Sequence, residues 1–225
     1  MFLRPFLALM AAAMAVHAAD DDFKPIFNGK DLTGWEGEPK LWSVREGLLR
    51  GETPVPQKGN TFLLWKAGTV KDFELKVKFR IQNGNSGIQY RSKDLGKFVV
   101  GGYQAEIENK QGKVGFLYEE RGRKYLANVG EKVEIGPDGK PRVIEALGDK
   151  EKDFIQKGYY KNKDWNEYRI VARGNHLEQW LNGFKTVDVT DNDPKSRASE
   201  GILAFQIHGG PPMVVEFKDI LLKNL

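Results

Sequence analysis

Through the middle of the chain, apolar and charged residues take turns: Phe73, Leu75, Val77, Phe79 and Ile81 are separated one by one by Glu74, Lys76, Lys78 and Arg80. A period of two places the two sets on opposite faces of a pleated strand, so this segment predicts a strand buried on one side and solvated on the other. Residues 42–50 predict a hairpin turning at Glu46-Gly47, and further strands are predicted at 61–66, 114–119, 167–173, 177–181, 185–189, 201–208 and 214–222. Asn182-Gly183 is a two-residue hairpin signal between two of them. Only residues 142–157 have helical composition, and Gly136-Pro137-Asp138-Gly139-Lys140-Pro141 before them reads as the start of a surface excursion. Many short strands, closely spaced turns and almost no helix predict an all-β, two-sheet sandwich of the jelly-roll type, with no domain linker or internal repeat.

The first residues follow another rule. Arg4 precedes an apolar run from Pro5 to Val16, and Val16 and Ala18 supply the small residues that a signal peptidase accepts. Cleavage is expected after Ala18 or Ala19, giving a signal peptide over 1–18 and one jelly-roll domain over 20–225. The alternative, a buried N-terminal helix, fits poorly with Ala18-Ala19-Asp20-Asp21-Asp22 directly after the run. The run is shorter than the roughly 20 apolar residues of a membrane helix, no later segment approaches that length, and the chain has no cysteine for a lipid anchor. The expected location is therefore the periplasm or the cell exterior, with no membrane partner. A mature chain of about 205 residues suits one large β domain, whose core dispenses with disulfides. Lys and Arg number 35 against 31 Asp and Glu, a net charge of +4 that becomes +3 when Arg4 leaves. Charges of both signs are interleaved, so the basic balance implies an ordinary solvated surface and no nucleic acid partner.

Some strands are polar on the face that should be merely solvated. Tyr103, Ala105 and Ile107 alternate with Gln104, Glu106 and Glu108; Ile88 and Tyr90 alternate with Gln89 and Arg91; Leu203, Phe205 and Ile207 alternate with Gln206 and His208. If these strands share a sheet, a hollow lined by acid, base and amide groups follows.

Several motifs then occur in a recognisable order: Asn28-Gly29-Lys30-Asp31-Leu32-Thr33-Gly34-Trp35, Asp72-Phe73-Glu74-Leu75, Asn85-Ser86-Gly87-Ile88-Gln89-Tyr90-Arg91, Trp165-Asn166-Glu167-Tyr168, Leu181-Asn182-Gly183, and Gln206-Ile207-His208-Gly209 leading to Phe217-Lys218-Asp219-Ile220. Together they resemble the 3-keto-disaccharide hydrolase family across essentially the whole mature chain. The resemblance implies a concanavalin A-like jelly roll and an exported protein acting on, or binding, oxidised (3-keto) disaccharides or glycosides. One departure is visible. Where many members read Tyr-Glu-x-Gln-Ile-x-Asp, this chain reads Tyr103-Gln104-Ala105-Glu106-Ile107-Glu108-Asn109, which moves the carboxylate by roughly 7 Å along the strand.

Such a substrate dictates the chemistry required. A ketone at C3 acidifies the C2 proton, so the C1 substituent can leave by elimination and water can add afterwards. The site needs a base near C2, donors at the ketone oxygen and an acid at the leaving oxygen. Glu106 is the candidate base, its pKa raised by Glu108 on the same face. Arg91 and His208 are candidate enolate stabilisers, and Gln89, Gln104, Gln206 and Glu108 candidate ligands of sugar hydroxyls. In the segment 117–125, Glu119 or Glu120 would supply the leaving-group acid and Arg121 would clamp the ketone. Tyr118, Tyr125 and Trp180 would stack on apolar sugar faces. The same residue types equally suit a cross-strand Glu106–Arg91 ion pair, a turn capped by His208 and a charged hairpin end.

Other chemistries are disfavoured. Glu106-Ile107-Glu108 is followed by Asn109-Lys110-Gln111, so the third carboxylate of the glucanase pattern Glu-x-Asp-x-x-Glu is missing. No Gly-x-Ser-x-Gly elbow occurs, and Gly209-Gly210-Pro211-Pro212 has no following helix to make a phosphate loop. With 3 histidines in all, one of them in the leader, no histidine-rich metal centre is expected. No cofactor is predicted, and a divalent cation held by His208 with carboxylates, or by carbonyls, is left open. Two functions fit: an exported enzyme cleaving 3-keto-glycosides, and a non-catalytic carbohydrate-binding module.

Overall fold

The computed structural model of the protein describes residues 22–109, 114–150, 153 and 156–225. The expected signal peptide over 1–18 lies outside the described residues. Two sheets face each other. The larger, ten-stranded sheet runs in the order β12 (Pro141–Ala146), β11 (Glu131–Ile135), β15 (Phe184–Asp191), β14 (His176–Leu181), β13 (Asn166–Arg173), β6 (Phe73–Asn83), β17 (Met213–Asn224), β4 (Leu48–Thr53), β3 (Trp42–Arg45), with β1 (Lys24–Pro25) paired to β17. The seven-stranded sheet runs β10 (Lys124–Ala127), β9 (Leu117–Glu120), β8 (Val100–Glu108), β7 (Asn85–Asp94), β16 (Ile202–Ile207), β5 (Thr61–Trp65), β2 (Trp35–Glu36). This is the all-β jelly-roll sandwich that the alternation implies.

Burial follows the period of two. Phe73, Leu75, Val77, Phe79 and Ile81 of β6 are at most 1% exposed, while the charged residues between them are half-buried. Across the sandwich, Phe205 of β16 stacks on Phe217 of β17 with centroids 4.1 Å apart, and Trp35 stacks on Phe205 from its other side at 5.1 Å. Each ring contributes roughly 1.5–3 kcal/mol by leaving water. Both hairpins turn where expected. Glu46 and Gly47 have φ of 52° and 76°, and Asn182 and Gly183 have 49° and 84°, the left-handed pair that a two-residue turn matching strand twist requires. Asn182 also accepts a hydrogen bond from the Glu167 amide at 2.8 Å and donates to Tyr159 O at 2.6 Å, and Asn166 donates to Lys161 O at 2.8 Å. The Trp165-to-Tyr168 and Leu181-to-Gly183 motifs therefore brace the large sheet.

One segment departs from expectation. Residues 141–146, where helical composition begins, form the fully exposed edge strand β12. The edge of β11 offers backbone groups that need partners, and the turn closed by Gly139 N donating to Gly136 O at 2.9 Å aims the chain back along it. Tertiary pairing overrides local propensity here; residues 151–152 and 154–155 lie outside the described residues. The strand expected at 114–119 is narrower, beginning at Leu117.

The outer face of the smaller sheet is divided. Phe62, Leu64, Val100 and Ala204 form an apolar cluster there, covered by Phe98 and Ile202. Phe98 arrives on a tight turn in which Lys97 and Phe98 both have positive φ, 54° and 57°, and its carbonyl accepts from Phe62 N at 2.9 Å. The other part of that face, formed by β16, β7, β8 and β9, carries the polar residues.

Candidate functional site

Along β8 the alternation sends Tyr103, Ala105 and Ile107 between the sheets and Gln104 and Glu106 to the outer face. Glu106 is nevertheless only 4% exposed, because amide side chains enclose it. Gln104 Nε2 donates to Glu106 Oε2 at 2.7 Å, and Asn85 Nδ2 donates to Oε1. Behind them, Gln89 Nε2 donates to Gln104 Oε1 at 2.5 Å and Ser92 Oγ donates to Gln89 Oε1 at 2.8 Å. An ionised carboxylate only accepts, so it orients every amide in this chain. Gly87 stands opposite Glu106 in register, and a Cβ there would lie 2.4 Å from the Gln104 side chain. The glycine of Asn85-Ser86-Gly87 is thus the space in which Gln104 lies.

Burial pushes the Glu106 carboxyl up to about 7; the Gln104 and Asn85 amides pull it down, and Glu108 and Glu120 push it further up. The Glu108 effect anticipated from sequence is present, but desolvation is the larger cause. At neutral pH this group holds and releases a proton with equal ease, which suits a general base.

In front of Glu106 lies a cavity of about 230 Å³, lined also by Gln104, Gln206, Asn85, Tyr118 and Glu120. Gln206 is fully buried, yet among the described residues neither of its side-chain polar atoms has a partner, and Asn85 Oδ1 is likewise unpaired. Orphaned buried polar atoms are costly unless a ligand meets them. One rim carries three rings, with Phe116–Tyr125 and Tyr118–Tyr125 centroids both 5.2 Å apart. Another carries Glu120, which accepts from Asn60 Nδ2 at 3.2 Å, and His208, whose Nδ1 lies 2.5 Å from Gly209 O.

The structure therefore gathers Glu106, Gln104, Gln206, Tyr118, Glu120 and His208, with Glu108 in the wall of an adjoining cavity. It separates the others. Arg91 sits in a bulge at φ 47°, which turns its side chain off the polar face into the sandwich. There the guanidinium, fully buried, bonds Lys71 O at 2.6 Å, Gly174 O at 2.7 Å and Asp72 Oδ1 at 3.0 Å. It neither pairs with Glu106 nor reaches the cavity. Glu119 points inward by alternation and is held by Arg123, which also binds Asp191 at 2.7 Å; it is a structural anion. Gln89 lies behind Gln104, outside the cavity wall. Arg121, in the β9–β10 turn with φ 56°, borders a separate depression. Trp180 belongs to the other sheet, under Arg169 at 4.2 Å and Lys185 at 5.0 Å. Residues not singled out from sequence as site residues, Asn85, Asn60 and Phe116, complete the cavity; the sequence signal for Asn85 was its place at the head of the Asn85-to-Arg91 motif.

Among the described residues, the metal-ligating side chains that come together are His176, Glu178 and Asp188. They lie on the outer face of the large sheet, where Lys185 Nζ already bonds both Glu178 and Asp188. An ammonium in that position supplies the positive charge that the acids require.

The same architecture occurs in several solved structures. A candidate glycosyl hydrolase from Parabacteroides distasonis is 20% identical over 91% of this chain and 94% of its own, with a TM-score of 0.59. The carbohydrate-binding module CBM66 from Bacillus subtilis is 16% identical over 85% and 96%, at 0.55. A Bacillus subtilis protein of unknown function with a galectin-like fold is 10% identical over 90% and 94%, at 0.60. At these identities the likeness is one of fold. No functionally curated protein matches the chain. The family described as 3-keto-alpha-glucoside-1,2-lyase-like domain matches residues 22–223. The chain belongs to that family, the one its ordered motifs resemble, and thereby to the glycoside-acting proteins.

Proposed function

We propose that the protein is an exported enzyme that cleaves 3-keto-glycosides by elimination and hydration. The observation that carries this reading is a buried carboxyl, Glu106, pushed up to about 7 by burial, at the back of a cavity in which both polar atoms of the buried Gln206 amide and Asn85 Oδ1 lack partners among the described residues. Glu106 takes the C2 proton, and the electron pair forms the enolate of the C3 ketone. The Gln206 amide, in place of Arg91, donates to that oxygen. Collapse of the enolate forms the C1=C2 bond and breaks the C1–O bond, and the aglycone oxygen takes a proton from a group on the rim, Glu120 or His208. Water then adds at C1, giving its proton to the rim group that protonated the aglycone, while Glu106 returns a proton to C2. The ring cluster of Phe116, Tyr118 and Tyr125 packs against the sugar's C–H face.

A carbohydrate-binding module is the second reading, because orphaned amides and exposed rings serve binding equally well. The test is incubation of the protein with a 3-keto-disaccharide and with its unoxidised parent, followed by mass spectrometry of released monosaccharide. Release from the keto compound alone is expected, and Glu106→Gln should lower kcat by at least about 100-fold while sugar affinity changes little. No release from either compound, with binding retained, would favour the module.

A further inference from the structure

Beside the small cavity lies a larger one of about 620 Å³, and the two share Asn85 and His208 in their walls. A glycone and its aglycone are joined by one oxygen. A substrate filling both spaces must place that oxygen at the shared wall. Asn85 is committed there to Glu106 through its amide N–H. His208 is exposed, and its Nδ1 lies against Gly209 O at 2.5 Å, which leaves Nε2 to meet the substrate.

The walls of the two cavities differ in kind. The small one has the aromatic rings on which a sugar's C–H face packs. The large one, among the described residues, has none; its apolar wall is Pro211, Pro212 and Met213, and its polar edge Asn83, Glu108 and Asn109. Proline rings and a thioether suit a ligand that brings its own π face. The Glu108 carboxylate repels anions and accepts from a hydroxyl. The volume falls in the ordinary range of small-molecule sites.

We propose that the larger cavity holds the leaving group and selects a neutral, flat phenolic aglycone, with His208 donating the proton to the glycosidic oxygen. This assignment rests on Glu106 as the C2 base. His208 passes its Nε2 proton to the aglycone oxygen as the C1–O bond breaks, which releases a free phenol, and the water that then adds at C1 returns a proton to Nε2.

Binding to Glu106→Gln, which removes the base but keeps the cavity shape, tests the assignment without interference from leaving-group reactivity. Affinities for 4-methylumbelliferyl 3-keto-glucoside, 3-keto-glucose and a 3-keto-disaccharide are measured by calorimetry. The aryl glycoside is expected to bind at least about tenfold tighter than either other compound. Adding Asn83→Trp, at the exposed end of β6, should abolish that advantage and leave 3-keto-glucose binding unchanged; Asn109→Trp is a second block should the first fail to fold. A disaccharide bound as tightly as the aryl glycoside overturns the ligand class. A block that leaves aryl binding intact, or weakens the monosaccharide equally, overturns the subsite. If no 3-keto compound binds, the base reading fails, and the cavity is then judged with 4-methylumbelliferone alone on the wild-type protein. A shift of the Met213 methyl resonance that Asn83→Trp removes supports the cavity; no shift overturns it.

Discussion

At the residue scale, Glu106 is a carboxylate whose surroundings oppose its charge. Its pKa is about 7 in the folded chain against 4.5 for the free group. The folded state therefore holds this proton more tightly than the unfolded state does. The contribution to stability is complete below about pH 4.5 and is lost as pH rises through about 7. At ~1.4 kcal/mol per pH unit the loss is on the order of 3 kcal/mol. Glu106→Gln cannot ionise, so its stability advantage over the wild type should grow by about that amount between pH 4.5 and pH 8. Urea unfolding of both proteins across this range measures the difference, in which the other titrating groups cancel. A pH-independent difference would contradict a desolvated carboxyl. Alternation alone made Glu106 legible as a polar-face residue. That it would be buried was not legible, because its enclosure comes from Asn85 and Gln104 closing over the space that Gly87 leaves.

At the scale of elements, the bulge in β7 decides what Arg91 does. Continued alternation would have put Arg91 beside Gln89 on the polar face, but one left-handed residue reverses it into the sandwich. Its guanidinium ties the approach to β6 and the β13–β14 turn through Asp72, Lys71 O and Gly174 O. Arg91→Met should therefore destabilise the fold by about 1–3 kcal/mol, because the Lys71 and Gly174 carbonyls lose their donor, read as a lower urea midpoint. The fraction that remains folded should keep kcat/KM within about twofold. A large fall in kcat for the folded variant would return Arg91 to the chemistry. The β3–β4 and β14–β15 hairpins were legible because Glu46-Gly47 and Asn182-Gly183 satisfy a local backbone requirement. A bulge has no comparable local signature.

At the scale of the whole molecule, the site is a product of sheet stacking. Gln206 faces the cavity because its neighbour Phe205 is held between Trp35 and Phe217 across the sandwich. Phe217→Ala should cost about 3–5 kcal/mol through lost burial and the void left behind. Loss of activity should then follow the same urea transition as loss of structure. An activity loss well before global unfolding would show that the polar face is positioned independently of this stack.

The amino-acid order by itself determined which residues of the regular strands lie on which face, Arg91 at the β7 bulge excepted, where the tight hairpins turn and how polar the strands at 88–91, 103–108 and 202–208 are, since each depends on neighbours one or two places away. Only the tertiary structure decided that β16, β7, β8 and β9 lie side by side, that Trp180 belongs to the opposite sheet and that Glu119 pairs inward with Arg123. Those outcomes depend on pairing between segments far apart in the chain, and backbone hydrogen bonds are indifferent to the side chains they bring together.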